Sequence, residues 1–233
     1  MKALNIFVGF DKAETAAYQV CSYSILKNAS RPVAIHPLNI RYFPTFTNND
    51  YKASTDFAFT RFLVPWLCDY EGYAVFMDAD MLVRDDIHKI LDVIDDEPFD
   101  VACVKHNYKP NMEDKFLGAQ QTAYSKKNWS SVMLFNNANC KQLTFDYVNS
   151  AKGLDLHQFK WTEDERIGSL PKTWNYLVGE AGVRNHDPAI VHYTRGGPYF
   201  KEYEICEFSN DWFQYYAESR SVLDTRIVED KNV

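Results

Sequence analysis

Tyr73-Ala74-Val75-Phe76-Met77-Asp78-Ala79-Asp80 is an apolar run that stops on two carboxylates. The run reads as a buried β-strand, and on extended backbone residues i and i+2 project from the same face. Asp78 and Asp80 are therefore expected to point together at the carboxyl edge of a sheet. Two like charges held that close repel. A hard divalent cation with oxygen ligands removes the repulsion. A solvated turn with two acids uses the same tripeptide, so it is the preceding strand that gives the pair its weight.

Working outward, Leu4 to Val8 form a second apolar run, ending at Gly9. Ala17, Val20, Cys21, Ser24 and Ile25 recur at helical spacing and predict an amphipathic helix over 14–28. Val33 to Leu38 reads as a strand. Thr55 to Tyr70 reads as helical for most of its length, with Pro65 breaking or kinking it. Val83 to Ile94 predicts a short helix capped by Asp85 or Asp86. Val101 to Val104 and Val132 to Phe135 are further strands. This alternation implies an α/β chain with a mostly parallel sheet, helices on both faces, and ligands bound at the loops after the strands. The second half is less regular. Lys105 to Lys127 is polar and aperiodic, too long for an ordinary connection, and reads as a functional loop. Trp174 to Val178 and Ala189 to Tyr193 are strand-like, and the aromatic tail after them reads as helical.

The 233 residues carry Lys+Arg 25 against Asp+Glu 32, a formal charge of −7. That balance disfavours bulk nucleic-acid binding, which needs a basic footprint. An apolar share of 46% excludes a disordered chain. No stretch has the length of a membrane span, and the N-terminal apolar run ends at Gly9 and Asp11 with no signal-type cleavage site. Cys21, Cys68, Cys103, Cys140 and Cys206 are odd in number and have no Cys-x-x-Cys spacing, so free thiols in a reducing cytoplasm are expected. Neither a P-loop nor a G-x-G-x-x-G after the first strand is present, so neither phosphate cradle is expected. One domain over 1–233 is expected, with a regular α/β half at 1–104 and a less regular half at 105–233.

Asp78-Ala79-Asp80 after an apolar strand resembles the DxD motif of GT-A glycosyltransferases, and the chain is similar to glycosyltransferase family 8 as a divergent member. Ser54 to Phe62 resembles the segment those enzymes place before that strand, whose Arg, here Arg61, reaches donor sugar and phosphates. His192-Tyr193-Thr194-Arg195-Gly196-Gly197-Pro198-Tyr199-Phe200 resembles their C-terminal segment, whose His is a metal ligand. Trp129 to Asn136 resembles the strand lining the sugar pocket, which implies a donor contact at Ser130. Glu163-Asp164-Glu165 stands where members carry an acidic pair facing the sugar. Val8, Gly9, Phe10 and Asp11 resemble the segment that holds uracil and ribose. Two departures stand out. Gly197 replaces the Lys that touches the diphosphate in family 8, leaving Arg195 or Lys201 to substitute. Trp129-Ser130-Ser131 replaces an Asn-Ala-Gly.

The resemblance implies a GT-A fold with a mixed central sheet flanked by helices, its Rossmann-like nucleotide-sugar-binding half at 1–104 and its acceptor and sugar-pocket half at 105–233. It implies metal-dependent transfer of a hexose from a nucleoside-diphosphate sugar, UDP-linked, to a hydroxyl acceptor, with retention. Asp78, Asp80 and His192 would hold manganese, with magnesium second. Ala79, Glu165, Gly196, Gly197 and Lys201 join the donor-binding set, and Asp164 and Arg195 are the catalytic candidates. In an inverting enzyme Asp164 would be the general base. A nucleotide-sugar-binding domain without turnover, a GT-A-like nucleotidyltransferase and a partner-binding domain are the alternatives.

Overall fold

A computed structural model describes residues 2–48, 55–92, 98–107, 125–180 and 187–220. Strand β1 (Leu4–Gly9) leads through a short 3-10 turn into α1 (Thr15–Asn28) and then β2 (Val33–Leu38). Strand β3 (Tyr73–Met77) passes through Asp78-Ala79-Asp80 into β4 (Met81–Val83). Strands β5 (Val101–Cys103), β6 (Val132–Asn136), β7 (Ile167–Ser169), β8 (Tyr176–Leu177) and β9 (Ile190–His192) follow. They build a six-stranded sheet in the order β2-β1-β3-β6-β5-β7 and a three-stranded sheet in the order β4-β9-β8.

The larger sheet is mixed where the residue pattern implied mostly parallel. Strands β1, β2 and β3 pair in parallel, as do β5 and β7, but β6 runs antiparallel to both β3 and β5. A parallel neighbour needs a crossover, usually helical. After β3 the chain turns at once into β4 and joins the other sheet, so no crossover returns it beside β3. That place is taken by β6, from the chain's second half.

Both faces of the larger sheet are buried, which accounts for its near-continuous apolar strands. Ile6, Val8, Val75, Met77 and Leu134 pack with Ala17, Cys21 and Ile25 of α1. The alternate residues Phe7, Phe76, Met133 and Phe135 pack with Phe57, Phe62, Phe159 and Trp161. A third cluster joins Val20, Leu82, Val191 and Tyr193 to Trp212 of the C-terminal helix α5 (Ser209–Ser219). That helix meets the expectation of a helical aromatic tail; residues 221–233 lie outside the described residues.

Three other expectations are corrected. Residues 55–70 hold a 3-10 segment, Thr60–Leu63, and a single helical turn α2 (Val64–Leu67). Pro65 lies in the first turn of α2, where its missing N–H costs nothing, so it helps open that helix instead of breaking a longer one. The span from Val83 to Ile94 begins as the last residue of β4 and continues as a 3-10 helix, Ile87–Leu91, which Asp86 caps by accepting from the His88 N–H. From Trp174 to Val178 only Tyr176–Leu177 is strand; Lys172–Asn175 is a 3-10 turn. Of the loop expected at 105–127, residues 108–124 lie outside the described residues. Helices α3 (Phe145–Ser150) and α4 (Gly153–His157) complete the second half. No helix among the described residues is long and apolar enough to cross a membrane.

Candidate metal centre

The turn between β3 and β4 is fixed from both sides. The Asp78 N–H donates to the Ser131 carbonyl at 3.0 Å, continuing the β3–β6 ladder. The Tyr193 N–H donates to the Asp80 carbonyl at 3.0 Å, continuing the β4–β9 ladder. Ala79 is buried in the core, so Asp78 and Asp80 share the opposite side. His192 lies directly across from Met81 in register, which brings its imidazole beside Asp80. The Nε2 to Asp80 Oδ1 distance is 3.4 Å. One ligand atom from each of Asp78, Asp80 and His192 lies within 4.8 Å of the others, roughly the span across a single hexacoordinate cation.

The donor set fits such an ion. Buried Asn175 presents its Oδ1 to His192 Nδ1 at 2.9 Å. The Asn175 amide orientation is itself fixed, because its Nδ2 donates to Ser131 Oγ at 2.9 Å and to the Asn128 carbonyl at 3.3 Å. An amide oxygen only accepts, so His192 Nδ1 carries the proton and Nε2 faces the carboxylates. A ring nitrogen oriented by a hydrogen bond on its far side is how imidazoles are presented to metals. Two carboxylates with one imidazole suit manganese or magnesium better than a thiophilic ion.

Arg61 supports Asp78 from behind. Its Nη1 lies 2.9 Å from Asp78 Oδ1 and donates to the Ser130 carbonyl at 3.0 Å, while Nε donates to the Ala58 carbonyl at 3.0 Å. The side chains of Arg61 and Asp78 are 7% and 16% exposed, so this is a buried ion pair. The guanidinium also lies against the Phe57 and Phe76 rings, 5.3 and 4.9 Å from their centroids.

Glu14 forms the other wall. It is buried just ahead of α1 and accepts a hydrogen bond from the Tyr199 hydroxyl at 2.7 Å. Burial, followed by the charge of Asp80, pushes its pKa up to about 8; Asp11 and Asp78 add to the rise and the Tyr199 bond opposes it. An acid raised in the folded state favours folding below its unfolded value of 4.5, and that stability is lost as pH climbs toward 8. Glu14→Gln removes the penalty. In EDTA its urea-unfolding free energy is expected to match wild type near pH 4 and to exceed it by on the order of 3 kcal/mol above pH 8. A pH-independent difference would contradict this assignment.

No family model matches the chain. It is 43% identical over 237 residues to Protein CDI of Arabidopsis thaliana, spanning 96% of this chain and 91% of that protein. The chain belongs to the Protein CDI family. Among solved structures it superimposes on the WbbM bifunctional glycosyltransferase with a TM-score of 0.66 at 16% identity, over 92% of this chain. The galactosyltransferase LgtC, solved with donor and acceptor sugar analogues, gives 0.58 at 12% identity, over 95% of this chain and 98% of its own. GlyE of Streptococcus pneumoniae gives 0.58 at 16% identity, over 99% of this chain. The chain spans about half of the WbbM chain and 63% of the GlyE chain. At these identities the likeness is one of fold, and the fold is that of GT-A glycosyltransferases.

In this Protein CDI relative the remaining sequence-picked residues fall into two sets. Near the metal centre, Val8 and Gly9 are buried at the end of β1, and Phe10 meets Tyr18 edge-on, with ring centroids 5.3 Å apart. The Asp11 carboxylate caps the turn before α1, accepting from the Ala13 N–H at 2.8 Å and the Asp56 N–H at 3.2 Å. Ser130 is buried, and its Oγ meets His157 Nδ1 at 2.8 Å. Gly196 and Gly197 form the turn after β9. Gly196 has φ +135°, and a Cβ on Gly197 would lie 2.3 Å from the Tyr199 ring. The tyrosine ring fills the space a side chain at 197 would need.

The second set has other partners. Arg195 pairs with Glu180, Nε to Oε1 3.1 Å, and Lys201 is exposed at the start of a 3-10 turn. Asp164 and Glu165 lie on an exposed 3-10 turn, not a helix, before β7. Asp164 pairs with Lys126 at 2.5 Å, which holds its carboxyl below the usual range. It is not among the carboxylates gathered at Asp78, Asp80 and His192. Trp161 and Trp174 are core residues, and Trp129 is half-buried between Lys105 and Lys126.

Glu14 and Asn175 went unread in the sequence. Asn175 left a signal, a lone amide between Trp174 and Tyr176 in an otherwise apolar stretch. Glu14 left none, since an acid at a helix start is ordinary dipole complementarity. His106 is also close by; burial, then the charges of His192 and Lys172, hold it neutral with a pKa near 4.

Proposed function

We propose that this chain is a metal-dependent glycosyltransferase of the family 8 type, one GT-A domain with its donor half at 1–104 and its second half at 105–233. It transfers a hexose from a UDP-sugar to a hydroxyl acceptor with retention. The observation that carries the reading is the meeting of Asp78, Asp80 and an oriented His192 at the turn joining two sheets. These three residues hold manganese, with magnesium second. When bound, the cation neutralises the charge growing on the leaving diphosphate.

The chain's own residues do the rest. Arg61 pairs with the Asp78 carboxylate and so orients it, beside the donor phosphates that the guanidinium also serves. Val8 to Asp11 present the end of β1 to the base and ribose. Ser130, with His157 on its hydroxyl, bounds the sugar side. The Gly196-Gly197 turn brings main chain, without side chains, to the diphosphate, with Arg195 and Lys201 as the nearest cations in sequence. Asp164 remains a catalytic candidate and Glu165 a donor contact, both in the second half; retention needs no protein base, because the leaving phosphate takes the acceptor proton on the same face. The cytoplasm is the matching compartment, because Cys21, Cys68, Cys103, Cys140 and Cys206 are all free thiols.

A thermal-shift panel of UDP, GDP, CDP and dTDP, with and without manganese, tests the reading. UDP with manganese is expected to raise the melting temperature most, and 100-fold excess over Kd is worth about 2.7 kcal/mol. Absence of any nucleotide shift would contradict it. One observation favours a second reading, nucleotide-sugar binding without turnover: the Tyr199 ring excludes a cationic side chain at 197. Manganese-dependent hydrolysis of UDP-hexose, with the product anomer read by NMR, separates the two.

A further inference from the structure

Position 14 and position 199 are 185 residues apart, and one hydrogen bond joins them at the rim of the metal centre. The turn after β9 has internal main-chain bonds, Gly196 N–H to the Tyr193 carbonyl and Phe200 N–H to the Gly197 carbonyl, both 2.9 Å. These fix its shape but not its place relative to β1 and α1. Tyr199 supplies the place. Its ring lies directly against Gly197, where an added Cβ would come within 2.3 Å of it. The ring is also tilted against Phe200 and Trp212, with centroids 4.6 and 5.5 Å away, and its hydroxyl ends on Glu14. Placing a carboxyl side chain in the interior beside Asp11, Asp78 and Asp80 is costly. An apolar residue would serve packing better, so the bond to Tyr199 is what the position gains by being glutamate.

We propose that Glu14 is a positioning residue: through the Tyr199 hydroxyl it holds the Arg195–Pro198 turn at a set distance from Asp80, and so sets the diphosphate side of the site. The diphosphate rests on the function proposed above; the tether itself does not. Two measurements on Glu14→Ala, Glu14→Gln and Tyr199→Phe keep them apart. The first is hydrogen exchange of the peptide covering 194–201 in EDTA. Losing one buried hydrogen bond is expected to speed its exchange about tenfold in Glu14→Ala and Tyr199→Phe. Glu14→Gln keeps an acceptor oxygen and is expected to stay near wild type, as are the β1 and β3 peptides in all three. Tyr199→Phe removes a single oxygen and carries the test if Glu14→Ala does not fold. Unchanged exchange in Tyr199→Phe, or Glu14→Gln as fast as Glu14→Ala, overturns the proposal. The second is UDP affinity with manganese, expected to weaken about tenfold in the same two variants and to recover in Glu14→Gln. Unchanged affinity in them overturns the link to the diphosphate side. If exchange follows the pattern while wild type binds no UDP, the tether stands and the glycosyltransferase reading fails.

Discussion

Asp80→Asn is expected to lower manganese-dependent sugar transfer by about a thousandfold, roughly 4 kcal/mol of transition-state stabilisation. The substitution keeps the shape of the turn and its bond from the Tyr193 N–H, because that bond uses the Asp80 main chain. What it removes is a negative ligand, leaving Nε2 of His192 facing a neutral amide where a carboxylate oxygen had stood 3.4 Å away. The same change is expected to stabilise the protein in EDTA, because Asp80 is the largest charge acting on buried Glu14. Activity lost with metal-free stability gained is a signature that damage to packing does not produce. Steady-state donor hydrolysis and urea unfolding of the one variant check both halves. A loss under threefold, or a fall in stability, would contradict the assignment.

Arg61→Met is expected to cost about 3–5 kcal/mol of folding stability, the usual consequence of removing one partner from a buried ion pair. This guanidinium pairs with the Asp78 carboxylate and donates hydrogen bonds to the carbonyls of Ala58 and Ser130. Methionine fills the apolar part of the volume against Phe57 and Phe76 but donates nothing. Adding Asp78→Asn to Arg61→Met is expected to recover part of the loss, since no uncompensated charge then remains. Urea unfolding of the two variants is the check, and a single-variant cost under about 1 kcal/mol would show that the pair is hydrated and of little structural weight.

Much of this was legible because it is local. The apolar run ending in Asp78-Ala79-Asp80 announced both a strand and a same-side pair of carboxylates, since strand alternation is a property of a few consecutive residues. His192 was reachable through the resemblance of the 192–200 segment, since a histidine at a strand end alone reads equally as a structural residue. The direction of β6 was not legible, because it depends on β3 leaving for a second sheet, which no window around Val132 to Asn136 records. Arg61 stands out in sequence as a cation among phenylalanines, but its pairing with Asp78 was not legible, because the two lie on separate elements and meet only through the fold. The Thr55 to Tyr70 stretch failed as a helix because apolar spacing reports burial, and a 3-10 turn followed by a single α-turn buries the same residues. Glu14 comes to the site through contacts distant in sequence, the charge of Asp80 and the hydroxyl of Tyr199, which no window around the start of α1 records.

A manganese titration followed by electron paramagnetic resonance, with UDP present and absent, addresses the metal centre most directly. Wild type is expected to take up one manganese per chain, more tightly with UDP, while His192→Ala binds at least about tenfold more weakly. Wild type that leaves manganese free in solution, or His192→Ala that binds it as well as wild type does, would contradict a cation held by Asp78, Asp80 and His192.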